Sequence, residues 1–114
     1  MSTQVVVARI SGLAGRVEEL RALLDDRSRE VRAEPGCVGA EAAALLGEPA
    51  EFLVVQTWES ADAMRAHYRS DAHADYQRAV GELLARPSRV VVYDVATTTR
   101  PAPSTSPTDP GRFG

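Results

Sequence analysis

No lysine and no asparagine occur in this chain, and cysteine and tryptophan occur once each. Each absence closes a route. Without lysine the 13 basic residues are all arginine, so neither a lysine Schiff base nor a pyridoxal phosphate anchor can form. The single thiol, Cys37, excludes an intrachain disulfide and fits a reducing cytoplasm. It follows Pro35-Gly36, where a small buried residue is expected rather than a nucleophile. The arginines are spread singly among acids and the net charge is −3, which argues against a nucleic-acid or anionic-membrane surface. The apolar runs are too short to cross a bilayer. The opening MSTQVVVARI lacks the basic start, long apolar stretch and small-residue cleavage site of a signal peptide. A cytoplasmic protein is the expectation. No glycine-rich phosphate loop follows a strand and no nucleophile elbow is present. Two histidines, one distant cysteine and scattered carboxylates match no zinc or non-haem iron spacing. Neither a metal nor a nucleotide is therefore expected.

What is there reads as one small domain with a tail. With 114 residues and 44% hydrophobic content the chain supports a single modest core. Gln4–Ile10 is a β-branched run that reads as a strand, broken by Gly12 and Gly15. From Arg16 to Ala33, Val17, Leu20, Leu24 and Val31 recur at helical spacing, and Pro35-Gly36 stops the helix. Cys37–Leu46 reads as a weaker strand, although Ala42, Ala43 and Ala44 would also suit a helix. It forms a hairpin with Glu51–Trp58 through Gly47-Glu48-Pro49. Ser60 stands where an N-cap belongs. The helical pattern that follows runs to Arg69, can break at Ser70-Asp71 with either residue capping a second piece, and continues to Arg86 before Pro87. Arg89–Ala96 is the last strand. Residues 1–97 thus form a domain, and 98–114, rich in Ser, Thr and Pro, read as a flexible tail.

The order β-α-β-β-α-β defines an α+β, ferredoxin-like fold: an antiparallel sheet with two helices on one face. A sheet wet on its other face should alternate apolar and polar residues. Val5-Val6-Val7, Leu53-Val54-Val55 and Val90-Val91-Val92 are apolar on both faces. The second face is therefore expected to bury itself against a second copy, giving a homodimer with two sheets back to back.

The chemistry concentrates between Phe52 and Gln77, where FLVVQTWESADAMRAHYRSDAHADYQ holds the only tryptophan and both histidines. Trp58 ends a strand, where its indole can wall a cavity or anchor the core or dimer. His67 follows Met64 by three residues and shares its helix face. It is the first candidate for a general base or for a hydrogen bond to a substrate oxygen. The plain alternative is a histidine tied to a neighbour such as Asp71. His73 shares a face with Tyr76, Gln77 and Val80. In an unbroken helix it would diverge from His67 by roughly 120°, so the two meet only if the helix bends at Ser70. Tyr68, Tyr76 and Tyr93 are further candidates for a substrate oxygen. Phe52 and Tyr93 either line the cavity floor or pack structurally.

EPGCVG after the first helix, then FLVVQTWES, then AHYRSDAH, resemble the antibiotic biosynthesis monooxygenase (ABM) family, over residues 4–96. The resemblance implies a dimeric α+β barrel. It also implies one of several activities: cofactor-free oxidation of anthrones or quinols by O2, haem degradation, or none assigned. The haem-degrading branch places an Asn, a Trp and an iron-ligating His where this chain has Ala8, His67 and, nearby, Gln77, so that branch is not expected. The anthrone-oxygenase branch matches at Trp58, but its strand Asn is absent and its early-helix Tyr is replaced by Met64.

The reading that results is a cofactor-independent monooxygenase acting on a phenolic, quinol or anthrone-type substrate with O2, in aromatic polyketide or antibiotic biosynthesis. Its catalytic candidates are His67, Trp58 and His73. Met64, Tyr68, Tyr76, Phe52 and Tyr93 are its substrate-contact candidates. A cyclase or isomerase without O2, and a non-catalytic small-molecule binder, are the rival readings on the same fold.

Overall fold

The computed structural model describes residues 2–103. It contains strands β1 (Thr3–Ser11), β2 (Cys37–Ala44), β3 (Glu51–Trp58) and β4 (Arg89–Val95), and helices α1 (Val17–Arg32), α2 (Ala61–Tyr68) and α3 (Asp71–Gly81). The strands form one antiparallel sheet in the order β2-β3-β1-β4. This is the expected α+β, ferredoxin-like arrangement. Residues 97–103 carry no helix or strand, and the remainder of the tail expectation, 104–114, lies outside the described residues.

Local chemistry explains the element ends. α1 carries Glu18 and Glu19 in its first turn and Arg29 and Arg32 in its last, which complements the helix dipole. The chain then reverses through Gly36, at φ +79°, a conformation that penalises any Cβ. Ser60 Oγ accepts from Ala63 N–H and caps α2. Ser70, extended at φ −73°, ψ 151°, interrupts the helical run. Its Oγ accepts from His73 N–H at 3.1 Å and donates to the His67 carbonyl at 2.7 Å. One side chain therefore closes α2 and opens α3. The last helix stops at Gly81 rather than Arg86. Leu83 turns into the core, and Leu13 N–H and Ala85 N–H donate to the Leu83 and Ser11 carbonyls. Backbone pairing with the end of β1 thus outcompetes another helical turn. β2 ends at Ala44, two residues early, and Leu46 is fully exposed.

Cross-strand register assigns the faces. Val6 pairs with Gln56 and Val92, Ala8 with Val54 and Val90, and Ile10 with Phe52, and these point toward the helices. Two apolar clusters form there. One contains Ile10, Leu20, Leu24, Phe52, Val80 and Leu83. The other contains Val6, Val31, Ala40 and Trp58, with Met64 packed against it. On the opposite face Val5 aligns with Thr57 and Tyr93, and Val7 with Val55 and Val91. Val91 and Tyr93 are about half exposed there, at 50% and 54%.

Candidate active site

Between the two clusters lies a cavity of about 360 Å³, within the size range of small-molecule sites. Val6, Ala8, Ile10, Val54 and Val90 form its sheet side, and Leu24, Arg27, His67, Tyr68, His73, Tyr76 and Val80 its helix side. Its floor is buried at Val6, Ile10 and Leu24, whereas Gln77, Gly81 and Val90 at its rim are exposed. It therefore opens between α3 and β4.

The break at Ser70 brings the two histidines together. Their ring centroids lie 4.9 Å apart, and Tyr68 meets both edge-on, at 5.1 Å from His67 and 4.9 Å from His73. Trp58, fully buried, stands behind His67 at 4.9 Å. Its Nε1–H donates to Gln56 Oε1 at 3.3 Å.

His67 Nδ1 lies 2.9 and 3.1 Å from the two carboxylate oxygens of Glu34. A carboxylate only accepts, so Nδ1 donates. In the neutral ring this leaves the lone pair on Nε2. Glu34 sits in the turn that follows α1. Gly36 brings that turn so close to α2 that a Cβ at position 36 would fall 2.4 Å from Ala63 Cβ. The expected neighbour for His67, Asp71, is replaced by a residue 33 positions away.

Glu34 also belongs to a second pair. Arg27, 8% exposed, places Nη2 3.5 Å from a Glu34 oxygen and Nη1 3.1 Å from Glu30. The first contact is a Coulombic pair without hydrogen-bond alignment, and both Nε and Nη2 of Arg27 lack a hydrogen-bond partner. His67 Nε2 and His73 Nδ1 also lack one. Among the described residues these four are the buried side-chain nitrogen and oxygen atoms without a partner, and their three residues all line this cavity. An unmet buried donor costs on the order of 1–3 kcal/mol, so such a cluster is what a ligand site retains. All four atoms are shielded from water, so a ligand reaches them by turning side chains aside.

The electrostatics agree with a dry pocket. Burial, reinforced by His67 and Arg27, holds the His73 imidazole below its ordinary 6.5 and opposes the pull of Glu34. Burial pushes the Tyr76 hydroxyl up to about 12 and raises Tyr68 as well. Burial also raises the Cys37 thiol, which is outside the cavity.

Of the eight residues singled out from sequence, His67, His73, Tyr68 and Tyr76 line the cavity. Trp58 and Met64 lie one layer behind it. Phe52 does not form its floor: it shares the inner face but packs with Leu20 and Leu24, and the Arg21 guanidinium lies 5.4 Å from its ring centre. Tyr93 does not reach the cavity either, because its register puts it on the opposite face with Val5. Glu34 and Arg27 were missed. Their signal was present, because Leu20, Leu24, Arg27, Val31 and Glu34 follow one helical stripe and two of its members are charged.

The fold and the cavity define a class: a small α+β protein with a helix-roofed, mostly apolar pocket. Within that class the chain belongs to the antibiotic biosynthesis monooxygenase family, whose sequence model matches residues 3–79. It is 35% identical over 94 residues to the Mycobacterium tuberculosis protein named "Putative monooxygenase Rv0793", covering 80% of this chain and 89% of that one. It is 27% identical over 94 residues to an uncharacterized Synechocystis protein, covering 82% of this chain but only 64% of that protein's length. The solved M. tuberculosis structure superposes with TM-score 0.78 at 30% identity, covering 87% of this chain and 100% of that chain. A Deinococcus radiodurans crystal structure superposes with TM-score 0.80 at 22% identity, covering 85% and 96%. At that identity the second likeness speaks for the fold alone. No helix among the described residues is long and apolar enough to cross a membrane.

Proposed function

We propose that this protein is a cofactor-independent monooxygenase that oxidises a phenolic, quinol or anthrone-type substrate with O2, in aromatic polyketide or antibiotic biosynthesis in the cytoplasm. The observation that carries this reading is that His67, paired with Glu34 through Nδ1, lines a mostly apolar cavity with its Nε2 unpartnered. Triplet O2 reacts slowly with closed-shell molecules but accepts one electron from an electron-rich anion. The protein must therefore make the anion, hold it and exclude water. His67 Nε2 takes a proton from the phenol or from the anthrone methylene. Glu34 stabilises the imidazolium that results. The anion passes one electron to O2, and the radical pair combines at carbon to give a peroxide anion. His67 returns its proton to that anion. For a methylene substrate, loss of water from the hydroperoxide leaves a ketone, so that CH2 and O2 become C=O and H2O. His73, held neutral, and Tyr68 and Tyr76 bound the substrate. Trp58 and Met64 support the His67 ring from behind.

The functional unit in this reading is a homodimer. Val5, Val7, Leu53, Val55, Val91 and Tyr93 make an apolar outer face that a second copy would cover.

The test is oxygen uptake by the metal-stripped protein with a simple anthrone and a hydroquinone. Uptake above the spontaneous rate is expected, falling at least about a hundredfold in His67→Ala and less in Trp58→Phe. No uptake with any substrate, together with turnover under strict anaerobiosis, would replace this reading with a cyclase or isomerase using the same base.

A further inference from the structure

Arginine has two ways of gripping an acid, and this chain displays one of them on its surface. Arg16 donates through Nε and Nη2 to the two oxygens of Glu19, each at 2.8 Å. Those two N–H bonds are parallel and match the spacing of a carboxylate. Arg27 presents the same Nε/Nη2 edge without a hydrogen-bond partner. Its Nη1 is held by Glu30. Its Cζ lies 5.8 Å from the centre of the Tyr76 ring, which also lines the cavity. The guanidinium is thus fixed in place while its bidentate edge is unused. Such an edge in a buried wall is matched by an acceptor with two oxygens in a plane. Glu34, the nearby acid, is already engaged by His67 Nδ1 and meets Nη2 only at 3.5 Å. Much of the remaining wall, with Val6, Ile10, Leu24, Val54 and Val90, is apolar and suits a ring.

We infer that the Nε/Nη2 edge of Arg27 is a carboxylate-binding subsite of this cavity, and that the ligand is an aromatic acid. This rests on the cavity being the ligand site of the proposed function, and it narrows the substrate to a phenolic or anthrone ring that carries a carboxylate. Arg27 holds the acid group while the ring lies against the sheet near His67. The oxygen enters as neighbouring side chains turn aside, Tyr76 among them.

The experiment is calorimetric titration of the purified protein, without turnover, with 2-naphthoate and with 2-naphthamide, which share a shape and differ in charge. The naphthoate is expected to bind at least about tenfold more tightly, the difference that hydrogen bonds to a charged group ordinarily make. Arg27→Gln should erase that preference through loss of naphthoate affinity, and Arg27→Lys should retain part of it. Equal binding of the two ligands to the unaltered protein would overturn the inference without requiring any variant to fold. So would a preference that survives in Arg27→Gln, or binding of neither ligand. These readouts use no O2. A naphthoate preference without oxygen uptake from either neutral or carboxylated anthrones and hydroquinones would sustain the subsite and sink the oxygenase. Uptake with neutral anthrones and no acid preference would do the reverse.

Discussion

Arginines on two sides of α1, counting its N-cap residue Arg16, meet opposite fates. On the solvent side, Arg16 pairs with Glu19, and Arg29 with Asp25 and Asp26, at 2.7–2.8 Å. Water would satisfy these guanidiniums at no cost, and such exposed pairs contribute little. On the cavity side, Arg27 has the most to gain from partners and yet lacks them at two nitrogens. The order is the reverse of what stability alone would select. Pairing on the surface is cheap and widespread, whereas a buried donor left open persists where something outside the chain completes it. The buried network of Arg27, Glu34 and His67 is therefore read as a site, and the surface ladder as a solvated face.

The contrast can be broken at its centre. Glu34→Gln removes the charge that orients and stabilises His67, and oxygen uptake should fall at least about a hundredfold. An unchanged rate would remove Glu34 from the mechanism. Gly36→Ala attacks the turn that sets Glu34 in place. The left-handed backbone disfavours any Cβ, and the 2.4 Å approach to Ala63 Cβ involves no flexible atom. Urea unfolding should register a loss of at least about 2 kcal/mol. Arg27→Met and Arg29→Ala sharpen the comparison directly. Glu30 and Glu34 stay partly exposed, at 64% and 23%, and two Arg27 nitrogens give up no hydrogen bond, so replacing the cation by an apolar side chain should move stability by no more than about 1 kcal/mol in either direction. The surface change should move it by no more than about 0.5 kcal/mol. A strongly destabilised Arg27→Met would make that arginine a structural element.

The smallest effect concerns pH. His73 is held below 6.5 by burial, then by His67 and Arg27. As pH falls below 6.5 the unfolded chain takes up this proton before the folded one. Stability is thus fully present above that value and declines as the pH drops toward the lowered folded value. His73→Gln should flatten this slope in thermal melts taken between neutral and acidic pH, and an unaltered slope would assign it to other groups.

The fold was legible because its punctuation is strong. Val-rich runs marked β1, β3 and β4, Pro35-Gly36 ended α1, and Ser60 and Ser70 announced two helix starts. The histidines were legible because they are scarce and because Ser70 offered a reason for them to meet. Glu34 and Arg27 were not, being ordinary residue types that look like a solvated face until the stripe through Leu20 and Leu24 is followed to its end. Phe52 and Tyr93 stayed open between lining the cavity and packing for a different reason. A strand that is apolar on both faces gives no parity, so only the pairing of Tyr93 with Val5 and of Phe52 with Ile10 could sort them.

Ser70 has a bearing on how such a pocket can change. His67 and Glu34, the proposed base and its partner, belong to α2 and the turn after α1, whereas His73, Tyr76, Gln77, Val80 and Gly81 of the outer wall all come from α3. The two segments meet at one hydroxyl that terminates the first and starts the second. The cavity is thus divided in two: changes at exposed positions of α3 such as Gln77 and Gly81 would reshape its mouth, while Glu34 and His67 keep their places beyond the joint at Ser70.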